Sequence, residues 1–139
     1  MNVLVDTSIW SLALRRSSPQ DDPNVRELRR LIEESHAQMI GPVRQEILSG
    51  VREPSHFDTL RLRLRAFSDL EIGIADYERA AEFFNLCRQK GIQGSNTDFL
   101  ICAVAAGRGL EIFTTDQDFR RYQAHVPIEL HVVREQPDL

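Results

Sequence analysis

At 139 residues, 42% of them hydrophobic and 27% charged, the chain is long enough for one domain with a real core, spanning residues 1–139. A net charge of −4 sets it apart from the strongly basic domains that hold nucleic acid by charge alone. The apolar runs fall far short of the ~20 residues a membrane span needs. Asp6 also interrupts the first run before it could serve as a leader, so a cytoplasmic protein without membrane contact is expected.

Residues 2–5 form a short apolar run that stops at Asp6-Thr7-Ser8, the pattern of a buried strand followed by a helix cap. Ile9, Trp10, Ala13 and Leu14 continue as a helix, and residues 17–23 make a polar loop with two prolines. Asp22-Pro23 opens a second helix, in which Val25, Leu28, Leu31 and Ile32 recur at helical spacing. A strand is expected over 37–40. Gly41-Pro42 then turns the chain into a helix carrying Val43, Glu46, Ile47 and Leu48, closed by Gly50.

Another helix follows Pro54, with Phe57, Leu60, Leu64 and Phe67 on one face. Residues 70–74 read as a strand, and Asp76 as the cap of a helix that Gly91 stops. Ser95 or Asn96 caps the most apolar helix of the chain, which places Asp98 in its first turn, where the helix dipole favours an anion. Gly107 and Gly109 end it. Strands over 110–114 and 128–133 complete the chain. Cys87 and Cys102, on predicted helices and without metal-type spacing, read as reduced core thiols.

Strands alternating with helices predict a three-layer α/β domain, with a central parallel sheet of about four or five strands flanked by helices. Ligands of such sheets gather beyond the carboxyl ends of the strands. Asp6 and Asp116 each follow a strand directly, Glu46 lies in the early part of a helix that follows one, and Asp98 opens the central helix. Taken singly, each acid has a plain role: Asp6 and Asp116 as turn formers, Glu46 as a solvated residue, Asp98 as a capping charge. Their joint placement is what points to a site.

Clustered carboxylates need a shared proton or a cation at neutral pH. With neither histidine nor cysteine beside them, all-oxygen ligation suits Mg²⁺ or Mn²⁺ better than zinc. A metal of this kind lets an acidic protein meet RNA phosphates, with arginines holding the flanking backbone. Sixteen of the seventeen basic residues are arginine. The candidate clamps are Arg15 and Arg16 beyond the Asp6 loop, and Arg120 and Arg121 beyond Asp116; the expected substrate is single-stranded or loop RNA. Thr7, Ser8, Asn96 and Thr115 are placed to position water or tie the carboxylates down.

Four stretches carry a family resemblance: Val5-Asp6-Thr7-Ser8, Arg44-Gln45-Glu46-Ile47, the run from Thr97 through Asp98 to Ala103, and the run from Thr114 through Asp116 to Phe119. In order and spacing they resemble the four motifs of PIN-domain nucleases, above all the VapC toxins of bacterial toxin–antitoxin pairs. The resemblance implies a Mg²⁺-dependent endoribonuclease, dimeric and held inactive by a VapB-type antitoxin. Its acids fall on Asp6, Glu46, Asp98 and Asp116. Asp118 is a further candidate that can instead cap the helix starting at Phe119. Two alternatives share the pattern: a non-catalytic PIN-like module that binds RNA or protein, and a metal-dependent phosphatase of small substrates.

Overall fold

The first strand, β1 (Val3–Val5), has no solvent-exposed surface and sits inside a four-stranded parallel sheet of order β2-β1-β3-β4. The structure is a computed structural model and describes residues 2–15 and 20–135. Val3 lies opposite Ala37 of β2 (Ala37–Gln38) on one side and Glu111 of β3 (Glu111–Phe113) on the other. β4 (Glu129–Leu130) closes the sheet against β3. Parallel neighbours must be joined by long crossovers, and here helices make them.

Among the described residues these helices are α1 (Thr7–Leu14), α2 (Pro23–Glu33), α3 (Gly41–Leu48), α4 (Pro54–Leu64), α5 (Ile74–Gln89), α6 (Asn96–Arg108) and α7 (Asp118–Gln123). The α/β architecture expected from the alternation is therefore present. Helix α6 is its apolar centre: Phe99, Ile101, Cys102, Ala103, Val104 and Ala105 are all buried. Each large one contributes roughly 1.5–3 kcal/mol of transfer free energy. Gly109 ends the helix in the left-handed conformation, φ 65°, which favours glycine, whereas Gly107 lies inside it.

Several local expectations are corrected. Residues 70–74 do not form a strand; a single parallel bridge between Met39 and Asp69 is all that reaches the sheet there, and Ile74 already belongs to α5. Gly73 interrupts the alternating Leu70, Ile72 and Ile74 and becomes the N-cap itself. Asp76 is then the third helical residue, and its carboxylate accepts the Gly73 N–H at 3.0 Å. The same carboxylate takes Arg108 at 3.1 Å and Arg79 at 3.4 Å, fastening α5 to α6. Burial would raise the Asp76 carboxyl, but these donors hold it below the ordinary range.

The Phe57, Leu60, Leu64, Phe67 stripe is mostly internal. Leu60 and Leu64 are buried, and Phe67 meets the Trp10 ring edge-on with centroids 5.0 Å apart. Cys87 and Cys102 are free and buried, and burial pushes both thiols up.

A second buried polar cluster joins the segment after β4 to α2. Glu27, 1% exposed, accepts from His131 Nε2 at 2.6 Å and from Arg134 Nε at 3.0 Å. The other His131 nitrogen faces Glu111 Oε1 at 2.8 Å. With a carboxylate at each ring nitrogen, both bonds are satisfied only when both nitrogens donate.

Candidate active site

Asp6 is positioned by the sheet itself. Its N–H bonds to the Phe113 carbonyl at 2.9 Å, extending the β1–β3 ladder by one step before α1 begins. Its side chain, 5% exposed, accepts from Thr114 Oγ1 at 2.6 Å and from Ser8 Oγ at 2.8 Å. Both donors bond the same oxygen, Oδ2. Thr114 also accepts the Asp116 N–H at 2.9 Å, and Ser8 accepts the Thr115 N–H at 3.2 Å. Two hydroxyls thus tie the ends of β1 and β3 together and fix the backbone of Asp116.

Asp116 is exposed, and its Oδ1 accepts the Asp118 N–H at 2.9 Å. The capping bond at the start of α7 therefore comes from Asp116, while Gln117 is the N-cap and Asp118 the first helical residue. The Asp118 carboxylate stands 3.9 Å from Arg121 on the surface.

Asp98 is half-buried in the first turn of α6, its N–H held by the N-cap Ser95 Oγ at 3.0 Å. Tyr122, fully buried in α7, donates its hydroxyl to Asp98 Oδ2 at 2.8 Å. The Asp98 carboxyl is pushed above its ordinary value, chiefly by burial. The Tyr122 and Ser95 bonds oppose the rise, and the Asp6 and Asp116 carboxylates add to it. Asp6 and Asp116 are therefore near enough for their charges to act on Asp98.

Glu46 sits apart from them. It lies in the second half of α3, not the early part, is exposed, and accepts from Thr7 Oγ1 at 2.7 Å. Among the described residues no three such side chains stand close enough to enclose an ion as they are. The donor set still fits a hard divalent cation in chemistry and charge: carboxylates and hydroxyls only, with the Asp98 carboxyl pushed up by burial first and by the Asp6 and Asp116 charges after it. It is an open site, not a closed cage.

Asn96 is exposed at the start of α6. Arg15, Arg120 and Arg121 are exposed at the ends of α1 and α7, and Arg16 lies outside the described residues. Tyr122 and Thr114 were missed as polar partners of the acids. Thr114 stood two residues before Asp116, a visible signal, but nothing local marks Tyr122.

The PIN-domain family model matches residues 3–124. The chain is 32% identical over 121 residues to VapC ribonuclease Mb1587 of Mycobacterium bovis, covering 84% of this chain and 88% of that protein. The chain is a PIN-domain protein of the VapC family. Ribonuclease VapC11 of Mycobacterium tuberculosis matches to the same extent. In fold, this VapC-family chain resembles FitAcB from Neisseria gonorrhoeae, with TM-score 0.74 at 19% identity over 92% of this chain and 95% of that one. It resembles equally VapBC2 from Rickettsia felis, solved with a promoter DNA fragment, with TM-score 0.73 at 17% identity over 94% and 98%. No helix among the described residues is long and apolar enough to cross a membrane.

Proposed function

We propose that this VapC-family protein is a Mg²⁺- or Mn²⁺-dependent endoribonuclease, the toxin of a toxin–antitoxin pair, working at the carboxyl ends of β1 and β3. What supports the reading is the placement of Asp6 and Asp116 just past β1 and β3, with Asp98 in the first turn of α6 where their charges reach it, since clustered carboxylates favour a cation at neutral pH. The mycobacterial relatives, named ribonucleases, point the same way.

Asp6, Asp98 and Asp116 would hold the ion. When bound, it polarises the phosphodiester and lowers the pKa of a water. Ser8 and Thr114 keep Asp6 oriented. Glu46, free of the cluster at the rim, would orient the attacking water, whose oxygen bonds to phosphorus as the phosphorus–oxygen bond to the leaving nucleotide breaks. Thr7 steadies Glu46, Asn96 and Thr115 would position water, and Asp118 is a further candidate for the ion. The direct test is incubation with structured RNAs in Mg²⁺, Mn²⁺ or EDTA: discrete cuts with metal and none with EDTA support the reading, and metal-independent or absent cutting ends it.

The charge argument gives a second expected result. A raised Asp98 carboxyl means the folded state holds that proton better. This contribution favours the fold below the unfolded carboxyl value and is lost as pH climbs through the unfolded and then the folded value. At neutral pH the metal-free fold carries the full penalty. Mg²⁺ should therefore raise the melting temperature more at pH 7.5 than at pH 4.5, its stabilisation at pH 7.5 amounting to about 2.7 kcal/mol at a hundredfold excess over its Kd. Equal melts with and without millimolar Mg²⁺ at pH 7.5 would tell against a shared site.

The substrate is proposed to be single-stranded or loop RNA, with Arg15, Arg120 and Arg121 holding phosphates. Replacing Arg120 and Arg121 with alanine should weaken hairpin binding and lower its salt slope by ~0.7 per lost contact. Unchanged binding, or a duplex cut as readily as a loop, would remove this path.

The proposed partners are a second copy and a VapB-type antitoxin. A groove of about 390 Å³ between α1, α2 and α4, lined by Trp10, Leu14, Leu28, Ile32 and Phe67, supports the latter. An antitoxin arginine reaching the acids would replace the cation by charge-assisted bonds.

A further inference from the structure

The Tyr122 hydroxyl and Gly94 together make a device that nothing in the acid motifs requires. Tyr122 is fully buried, its ring against Phe99 with centroids 4.8 Å apart and against Phe119 at 5.2 Å. A ring so confined has little freedom to swing, so its hydroxyl is a fixed point. That point lies 2.8 Å from Asp98 Oδ2. The loop before α6 also passes close to it. A Cβ on Gly94 would stand 2.3 Å from the Tyr122 hydroxyl oxygen, 2.8 Å from its ring carbon and 2.9 Å from Phe99. Only glycine lets the loop, the ring and the Ser95 cap coexist. Among the described residues the hydroxyl's one hydrogen bond goes to Asp98, whereas a tyrosine wanted for packing alone could be phenylalanine.

We propose that Tyr122 is a positioning residue for the metal site, pinning one Asp98 oxygen so that the other is presented to the cation, and that Gly94 provides the clearance this requires. The inference rests on the metal-dependent reading above. A carboxylate with one oxygen occupied by a buried donor has one orientation and one free ligand atom, and it binds without having to be ordered first. Ser95 fixes the Asp98 backbone and Tyr122 its side chain, so the acid in the half-buried position is held at both ends.

The test measures the Mg²⁺ concentration that gives half of the maximal thermal stabilisation, without RNA, for wild type, Tyr122→Phe and Gly94→Ala. Tyr122→Phe keeps the packed ring and deletes only the donor; Gly94→Ala keeps the donor and displaces it. In both, the midpoint is expected to rise about 10- to 100-fold, the usual effect of losing an outer partner of a metal ligand. The metal dependence of RNA cleavage should shift in parallel, by more than the maximal rate falls. A role confined to packing would lower the metal-free melt and leave the midpoint in place. That result in both variants overturns the proposal, and if one fails to fold the other decides. Asp98→Asn separates this from the underlying reading. If it abolishes the Mg²⁺ response while Tyr122→Phe and Gly94→Ala leave it unchanged, only the positioning role falls; if wild type itself shows no response, the metal site falls with it.

Discussion

Asp98→Asn is expected to leave a folded protein that cuts RNA at least ~100-fold more slowly, since even losing an outer partner of a metal ligand costs that order. The substitution is nearly isosteric, and its amide oxygen still accepts the Tyr122 hydroxyl. What it removes is the charge that burial, Asp6 and Asp116 all disfavour. The metal-free variant should therefore melt slightly above wild type at neutral pH while losing the response to Mg²⁺. Few substitutions stabilise a protein and silence it together, so the pair of effects is a sharper signature than inactivity. Cleavage at the wild-type rate, or a variant less stable than wild type with its metal response intact, would show that Asp98 is merely a helix-dipole acid.

The largest expected effect on stability lies far from the acids. Glu27→Ala should cost about 3–5 kcal/mol at neutral pH, the range for removing one partner of a buried ion pair. Glu27 is 1% exposed, and its removal strands His131, 2% exposed, and deprives Arg134 of its inner partner. The pH dependence has a definite sign. Burial would raise the Glu27 carboxyl, but Arg134 and His131 outweigh it and hold it below the ordinary range. A depressed carboxyl contributes stability above its unfolded value, ~4.3, and loses it as pH falls through the lower folded value. The gap between wild type and variant in urea titrations should be full at pH 7 and narrower at pH 3.5. A gap under 1 kcal/mol at pH 7, or one that widens in acid, would falsify the account.

The features legible in the sequence were those with local chemistry. Asp22 before Pro23, Ser95 before α6 and Gly109 after it sit where their short-range bonds require. Asp6 and Asp116 stand just past β1 and β3 because apolar runs ended there. The features that were not legible depend on partners distant in the chain. Tyr122 reads as one more aromatic of a short helix until the fold sets it against Asp98. Glu27 and His131 are 104 residues apart, each unremarkable alone. The strand expected over 70–74 failed differently: alternation was present, but Gly73 and the Asp76 capping bond offered a helix start, and local hydrogen bonds won over an edge pairing. Glu46 reads as early in its helix, but α3 begins at Gly41 and already ends at Leu48, which leaves Glu46 in its second half.

The threonine that holds Asp6 stands 108 residues further along the chain. At the ~5–20 residues per second of protein synthesis, a ribosome needs about 5–20 s to travel between them. Through that interval β1 lacks its β3 neighbour, Asp6 lacks Thr114, and Asp116 does not yet exist. On the proposed reading, a nascent chain then lacks a complete site with which to cut the messenger that is making it. A truncated product ending before β3 lacks it too. For a protein whose proposed target is RNA, drawing the site from the two ends of the chain delays its activity until nearly all of it has been made.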